Sequence, residues 1–215
     1  MFQKLRDPIS SLTHFAGAIL AIPYTAILIA TAERLSSARH IVAFAVFGAS
    51  LFLLYATSAA YHMPRFSEKA IRILRRIDHM MIFVLIAGTY TPVCLLPLQG
   101  PWGWTLFGLV WGVAVTGIVL KAIWMQAPRW LSTAIYIFMG WLVLIAFYPL
   151  LRTISTTAIA LLASGGLVYT AGAVMYAVKW PPLHWRYFGF HELFHVFVLG
   201  GSCLHAVFMF QLIPT

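Results

Sequence analysis

Long, uninterrupted runs of apolar residues dominate the chain, and Pro, Gly or charged residues mark most of the gaps between them. A helix needs roughly 20 apolar residues to cross a bilayer, and each run is long enough. The apolar residues do not alternate with polar ones, which argues against a membrane β-barrel. The pattern therefore predicts seven transmembrane helices. They cover about Ile9–Ala32, Ile41–His62, Ile77–Leu98, Trp102–Ile123, Trp130–Leu151, Ser155–Val178 and Phe188–Ile213.

Composition supports this interpretation. Hydrophobic residues make up 62% of the 215 residues and charged residues only 9%, whereas a soluble domain carries about 25% charged residues. Too little polar surface is present to coat a water-soluble particle, which argues against soluble enzymes, secreted disulfide scaffolds and disordered chains. Cys94 and Cys203 both fall in apolar runs and indicate no disulfide framework. We predict one all-α integral membrane domain over residues 1–215.

Basic residues indicate the orientation of the spans. The chain has 14 Lys and Arg against 5 Asp and Glu, a net charge of +9. Beside membrane spans such an excess indicates loops that meet anionic headgroups, so membrane lipids and not nucleic acid are the expected partners. Most basic residues fall on the N-terminal side of the seven spans, which predicts a cytoplasmic N-terminus and a C-terminus outside. The other side has only Arg34, Arg39 and Arg152.

Polar side chains from three separate spans are predicted to meet at one membrane level. His62 ends the second span, Asp78 begins the third, and His191 and His195 begin the seventh, so all four fall near the cytoplasmic face. The topology was assigned without these residues, and their convergence is therefore independent support for a shared site. Three other acids occupy terminal or loop positions and need no special account: Asp7, Glu33 and Glu68.

The spacing of these histidines predicts a metal site. His191 and His195 stand at i and i+4 and project from one helix face, and His62 would supply a third nitrogen. Zinc accepts such ligands at about 2.0–2.1 Å, and three protein ligands leave the fourth position for water, as in catalytic sites. Asp78 would hydrogen-bond that water or accept its proton. Ser58, one turn before His62, would orient a ligand or a substrate carbonyl.

Structural roles are the alternatives. Asp78 could pair with Arg75, Arg76 or His79, and Ser58 could donate to its own i−4 carbonyl. An ordinary satisfied hydrogen-bonding role is the stronger interpretation for two further histidines within the spans: His14 and His205.

Residues 191–195 also spell H-E-x-x-H, the zinc-protease signature. The extended form needs a third His at the position of Gly201, and no acid follows Glu192 to act as a downstream ligand. A metalloprotease is therefore not indicated, and His62 is the best candidate for the third ligand. Glu192 is a candidate proton carrier, offset by about 100° from His191 around the helix.

Short motifs spread over nearly the whole chain resemble the hemolysin III family of bacterial membrane proteins, within the progestin and adipoQ receptor superfamily. The motifs are Asp7-Pro8, Leu12-Thr13-His14, Ser58-Ala59-Ala60-Tyr61-His62, Arg76-Ile77-Asp78-His79, Ala87-Gly88-Thr89-Tyr90-Thr91-Pro92, Gly165-Gly166-Leu167-Val168-Tyr169-Thr170, and His191-Glu192-Leu193-Phe194-His195 with His205.

This resemblance implies a seven-helix protein of the bacterial inner membrane with a cytoplasmic N-terminus. It also implies a zinc ion held by His62, His191 and His195, with Asp78 touching the zinc-bound water and Ser58 nearby. Eukaryotic proteins of the superfamily act as receptors and are linked to ceramide hydrolysis, and a wider group of similar proteins includes alkaline ceramidases. The bacterial family takes its name from a haemolytic activity.

Three functions compete at this point. The first is a zinc-dependent hydrolase of a lipid amide or ester bond. The second is a non-enzymatic membrane regulator, or a pore-forming hemolysin, in which zinc is structural. The third is a proton or metal transporter that uses Asp78, Glu192 and the histidines as a relay. No span carries a repeated polar stripe, which disfavours the pore, and the hydrolase is the preferred prediction.

Overall fold

The computed structural model describes residues 6–34, 37–63, 66–183 and 185–214. Within these ranges seven helical segments are long and apolar enough to cross a membrane, and no strand is present, so the all-α prediction of seven spans is confirmed. The helices are α1 (Pro8–Arg34), α2 (Ala38–His62), α3 (Glu68–Leu95), α4 (Pro101–Ile123), α5 (Arg129–Gly140), α6 (Phe147–Leu151), α7 (Thr156–Val178) and α8 (Phe190–Phe210).

The third helix begins earlier than its hydropathy predicts. It starts at Glu68 rather than Ile77, and the Ser67 side chain caps it by accepting from the backbone N–H of Ala70. The prediction failed because residues 69–76 are rich in Lys and Arg, which lower the hydropathy but are good helix formers. Asp78 therefore lies well inside α3 and not at its start.

The fifth span is not one continuous helix. The backbone leaves α-helical geometry after Gly140, passes through a 3₁₀ segment at Leu142–Ala146 and resumes as α6. The Tyr90 hydroxyl of α3 lies at this break, donating to the Gly140 carbonyl at 2.7 Å and accepting from the Val143 N–H at 2.8 Å. Backbone polar groups within a membrane need such internal partners, so a residue of another span stabilises the break.

The spans close into a ring. α1 packs against α2 and α8, α3 against α2 and α4, and α7 against α5 and α8, while the fifth span lies between α4 and α7. Small residues permit close approach: a Cβ at Gly48 would overlap the Thr25 side chain, and one at Gly88 would overlap Ser50. The ring surrounds a cavity of about 240 Å³ to which all the spans contribute lining residues. We call this the central cavity.

Candidate metal centre

Three imidazoles from two helices meet at one end of the bundle. His62 is the last residue of α2, and His191 and His195 lie in the first two turns of α8. Each offers a nitrogen that lies within 4.8 Å of the others, and Nε2 of His62 is 3.3 Å from Nε2 of His191. We call these residues the histidine cluster. They could hold a metal ion, so the predicted convergence of the three side chains is confirmed.

Glu192 fixes the start of α8 and ties it to α1. One carboxylate oxygen accepts from the backbone N–H of Gly189 at 2.8 Å, which caps the helix, and the other accepts from the Ser10 hydroxyl at 2.8 Å. Glu192 is offset from His191 around the helix, as the helical spacing predicts, and its side chain therefore faces α1. Its contacts position the turn of helix that carries His191 and His195.

Asp7 braces the histidine cluster from outside the spans. Its Oδ2 lies 2.8 Å from Nδ1 of His62 and accepts from Nε of Arg6 at 2.9 Å, while its backbone N–H donates to the His62 carbonyl at 3.2 Å. The Arg6 guanidinium in turn lies 4.1 Å above the Tyr61 ring. With Nδ1–H donating to Asp7, the lone pair of His62 is on Nε2, which faces His191.

The expectation that Asp7 needs no special account is therefore wrong. Burial alone would raise the pKa of Asp7, but the hydrogen bonds from His62 and Arg6 outweigh it and lower the pKa to about 2. The carboxylate is thus ionised at neutral pH. The Asp7-Pro8 motif was the available signal, but the contact depends on how the segment before α1 folds across the end of α2.

His14 is a second residue whose contact with the histidine cluster the sequence did not reveal. Its ring stacks on the ring of His195, with centroids 3.8 Å apart and an interplanar angle of 18°, and meets Tyr55 edge-on at 5.1 Å. The buried ring also interacts with the backbone of His195, so His14 combines packing with the hydrogen-bonding role that was predicted for it. His14 packs behind the histidine cluster and borders the central cavity.

Asp78 and Ser58 both line the central cavity. The Asp78 carboxylate interacts with the Ser58 hydroxyl and, electrostatically, with His62 and Arg75. Its contact with His79 is long, at 3.6 Å from Nδ1, because that nitrogen lies 2.8 Å from the Arg75 carbonyl oxygen. Asp78 therefore forms no short ion pair with His79.

His205 lies apart from the cluster. Its Nε2 is 3.1 Å from the Leu162 carbonyl oxygen, and its ring occupies the space that a Cβ at Gly165 would need. The structural interpretation of His205 is confirmed: it joins α7 to α8.

Comparison with known proteins settles the family. The chain matches the family model described as Haemolysin-III related over residues 2–206. It is 39% identical to Hemolysin-3 of Bacillus cereus over 100% of this chain and 96% of that protein. It is 42% identical to the Hemolysin-3 homolog of Bacillus subtilis (strain 168) over 94% of this chain and 92% of that protein. The chain belongs to the hemolysin III family.

The relationship extends beyond bacteria. This hemolysin III chain is 29% identical to Heptahelical transmembrane protein ADIPOR3 of Oryza sativa subsp. japonica over 75% of its length and 44% of that protein. Such relatives place it within the progestin and adipoQ receptor superfamily, as the motifs indicated. Seven apolar helices and these bacterial relatives make it a multi-pass bacterial membrane protein.

Proposed function

We propose that this hemolysin III protein is a zinc-dependent hydrolase that cleaves an amide or ester bond of a membrane lipid. The separation of the two Nε2 atoms of His62 and His191, 3.3 Å, carries the proposal. Two ligands of a tetrahedral zinc ion at about 2.0–2.1 Å stand roughly 3.3 Å apart. The pair thus suits zinc without rearrangement.

The third imidazole fits the same ion. One nitrogen of the buried His195 ring lies within 4.8 Å of the candidate ligand nitrogens of His62 and His191, and the ring also interacts with the Ser10 backbone. Asp7 supports the opposite edge of His62 in the manner of the carboxylate–histidine pairs around zinc. Three protein ligands leave one position open, which favours a catalytic over a purely structural ion.

The residues on the cavity wall supply the remaining chemistry. A zinc ion in such a site polarises a carbonyl and lowers the pKa of a coordinated water to about 7. Asp78 would act as the general base that removes the proton and later returns it to the leaving group. Ser58 would donate its hydroxyl to the carbonyl oxygen as negative charge develops there.

The shape of the central cavity favours a lipid substrate. The cavity is lined by polar residues of the site, including Ser58 and Asp78, and by a larger number of apolar residues. A lipid could therefore place its head and scissile bond at the polar residues and its hydrocarbon tail along the apolar ones. The tail-facing residues include Leu85, Ile86, Val93, Leu150 and Ile159.

Asp78→Asn tests the assignment, with Glu68→Gln as the matched control. Both residues belong to α3, but the Glu68 side chain is exposed and does not line the central cavity. With zinc-loaded protein and a panel of ceramides and glycerolipid esters, we expect fatty-acid release by Asp78→Asn to fall by about 10²–10⁴-fold. Zinc content should stay at the wild-type level in both variants. Wild-type turnover by Asp78→Asn would overturn the general-base role.

A structural metal is the second candidate. The histidine cluster contains residues of α2 and α8, and α1 packs against both helices. A bound ion would therefore cross-link α2 and α8 and stabilise the ring. This alternative predicts that chelation lowers the melting temperature while no lipid of the panel is consumed and Asp78→Asn has no effect. Zinc-independent dye release from vesicles would favour the pore-forming version.

A further inference from the structure

Lys121 is a buried cation within a membrane span. It lies in the last turn of α4, inside the predicted fourth span, and is only 3% exposed. Among the described residues its ammonium group makes no hydrogen bond and no ion pair, and its side chain borders the central cavity. Buried charges within a membrane are normally paired. Lys121 has no such partner among the described residues, so its counter-ion is expected to come from a ligand.

The groups around Lys121 increase its need for an anionic partner. The charged group that acts on it is another cation, Arg75 of α3, which also borders the cavity. The acid close to Arg75 in sequence, Asp78, interacts electrostatically with Arg75 and His62 and with the Ser58 hydroxyl, whereas no carboxylate of the described residues acts on Lys121. Two cations from α4 and α3 therefore face one cavity with no carboxylate assigned to Lys121.

A third cation completes this end of the cavity. The Arg129 guanidinium lies 4.7 Å above the Tyr176 ring and 5.6 Å from the Phe190 ring, and its Nη1 donates to the Tyr176 carbonyl at 3.5 Å. These contacts fix the guanidinium at the cavity wall. The cations share the cavity with a lining that is otherwise largely apolar.

We infer that Lys121 and Arg75 bind the anionic head of an amphiphile, a phosphate, phosphonate or carboxylate, whose hydrocarbon tail occupies the apolar part of the central cavity. An ammonium and a guanidinium bind such oxyanions through charge-assisted hydrogen bonds. The inference extends the proposed function by naming the charge of the lipid that enters the site. It would make an anionic lipid, or a released fatty acid, the preferred occupant.

Three probes separate the contributions of head and tail. Dodecylphosphonate has both, dodecanol has only the tail, and methylphosphonate has only the anion. Binding is measured by calorimetry on the purified full chain in a neutral maltoside detergent. For wild type we expect dodecylphosphonate to bind at least about tenfold more tightly than either other probe, because a hydrogen bond between charged groups adds to tail burial.

Variants of Lys121 test whether its charge binds the anionic head. Lys121→Gln should lose about tenfold in affinity for dodecylphosphonate and none for dodecanol, whereas Lys121→Arg should retain the preference. Lys69→Gln removes an exposed lysine from α3 and should behave as wild type. Circular dichroism checks that Lys121→Gln folds. If it does not fold, the preference retained by Lys121→Arg still tests the role of the positive charge.

Two results would overturn the inference. One is equal dodecylphosphonate affinity in wild type and Lys121→Gln. The other is methylphosphonate binding as tightly as dodecylphosphonate, which would indicate a site for free anions and not for an amphiphile. The carbon–phosphorus bond is not hydrolysed, and the measurements are made on metal-free protein, in which no zinc ion can ligate the phosphonate and the preference should persist because Lys121 and Arg75 hold the anion. Failure of the hydrolase proposal would therefore be distinguishable from failure of this one.

Discussion

The Asp7 carboxylate lies 2.8 Å from Nδ1 of His62, so a residue outside the spans sets the tautomer and orientation of a candidate metal ligand. Outer carboxylates of this kind typically change metal affinity by about 10–100-fold. The contact converts a short segment before α1 into part of the site.

Removal of this brace should weaken metal binding. We expect Asp7→Ala to lower zinc affinity by about 10–100-fold, and Asp7→Asn to lower it less, because the amide oxygen still accepts from Nδ1–H. Competition with a chromophoric chelator measures both. Glu33→Gln, an exposed acid at the other end of α1, is the control and should leave the affinity unchanged. Wild-type affinity in Asp7→Ala would show that His62 needs no support.

His14 should act by packing and not as a ligand. We expect His14→Phe to keep its zinc and most of its stability, because a phenyl ring preserves the stack on His195. His14→Ala should lose about 3 kcal/mol through the cavity it leaves. Metal analysis and thermal melting measure the two effects. Loss of zinc in His14→Phe would instead make His14 a fourth ligand.

The hydroxyl of Tyr90 should stabilise the fifth span. Tyr90→Phe leaves the Gly140 carbonyl and the Val143 N–H without their partner, at a cost of about 1–3 kcal/mol for each group. The buried Tyr55 hydroxyl interacts with the Ser202 side chain, and its removal leaves no backbone group of a broken helix unpaired, so Tyr55→Phe is a control that should cost less. Equal melting temperatures for the two variants would contradict the role of Tyr90.

Gly48 should be essential to the contact between α1 and α2. A methyl group there would overlap the Thr25 side chain, and we expect Gly48→Ala to lose about 1–3 kcal/mol, the usual cost of overpacking. At Gly108 a methyl group would enter open space, so Gly108→Ala should be neutral or slightly stabilising. Denaturant titration of both variants against wild type provides the comparison.

Hydropathy and spacing predicted the features that depend on local sequence. The count of spans follows from apolar runs of membrane-spanning length, and the pairing of His191 with His195 follows from the helical period. His62 could be added because the topology placed it at the same membrane level. These inferences need no knowledge of how distant segments pack.

Apart from the early start of α3, the features that were missed depend on contacts between distant segments. Asp7 looked like a terminal acid until the chain before α1 was seen to reach His62. The break after Gly140 lies in a run that is apolar throughout, and its stabilising partner belongs to α3. Lys121 falls within the predicted fourth span, but nothing in its neighbourhood in the sequence shows that its side chain is buried beside the central cavity.

The break in the fifth span also bears on how an apolar molecule would enter and leave the central cavity. Leu144 and Phe147 belong both to the lining of the central cavity and to the exposed surface of the bundle. A single layer of side chains therefore separates the interior from the surrounding acyl chains at this stretch. An occupant of the cavity would therefore come nearest to the bilayer at this stretch, where the fifth span is not a continuous helix.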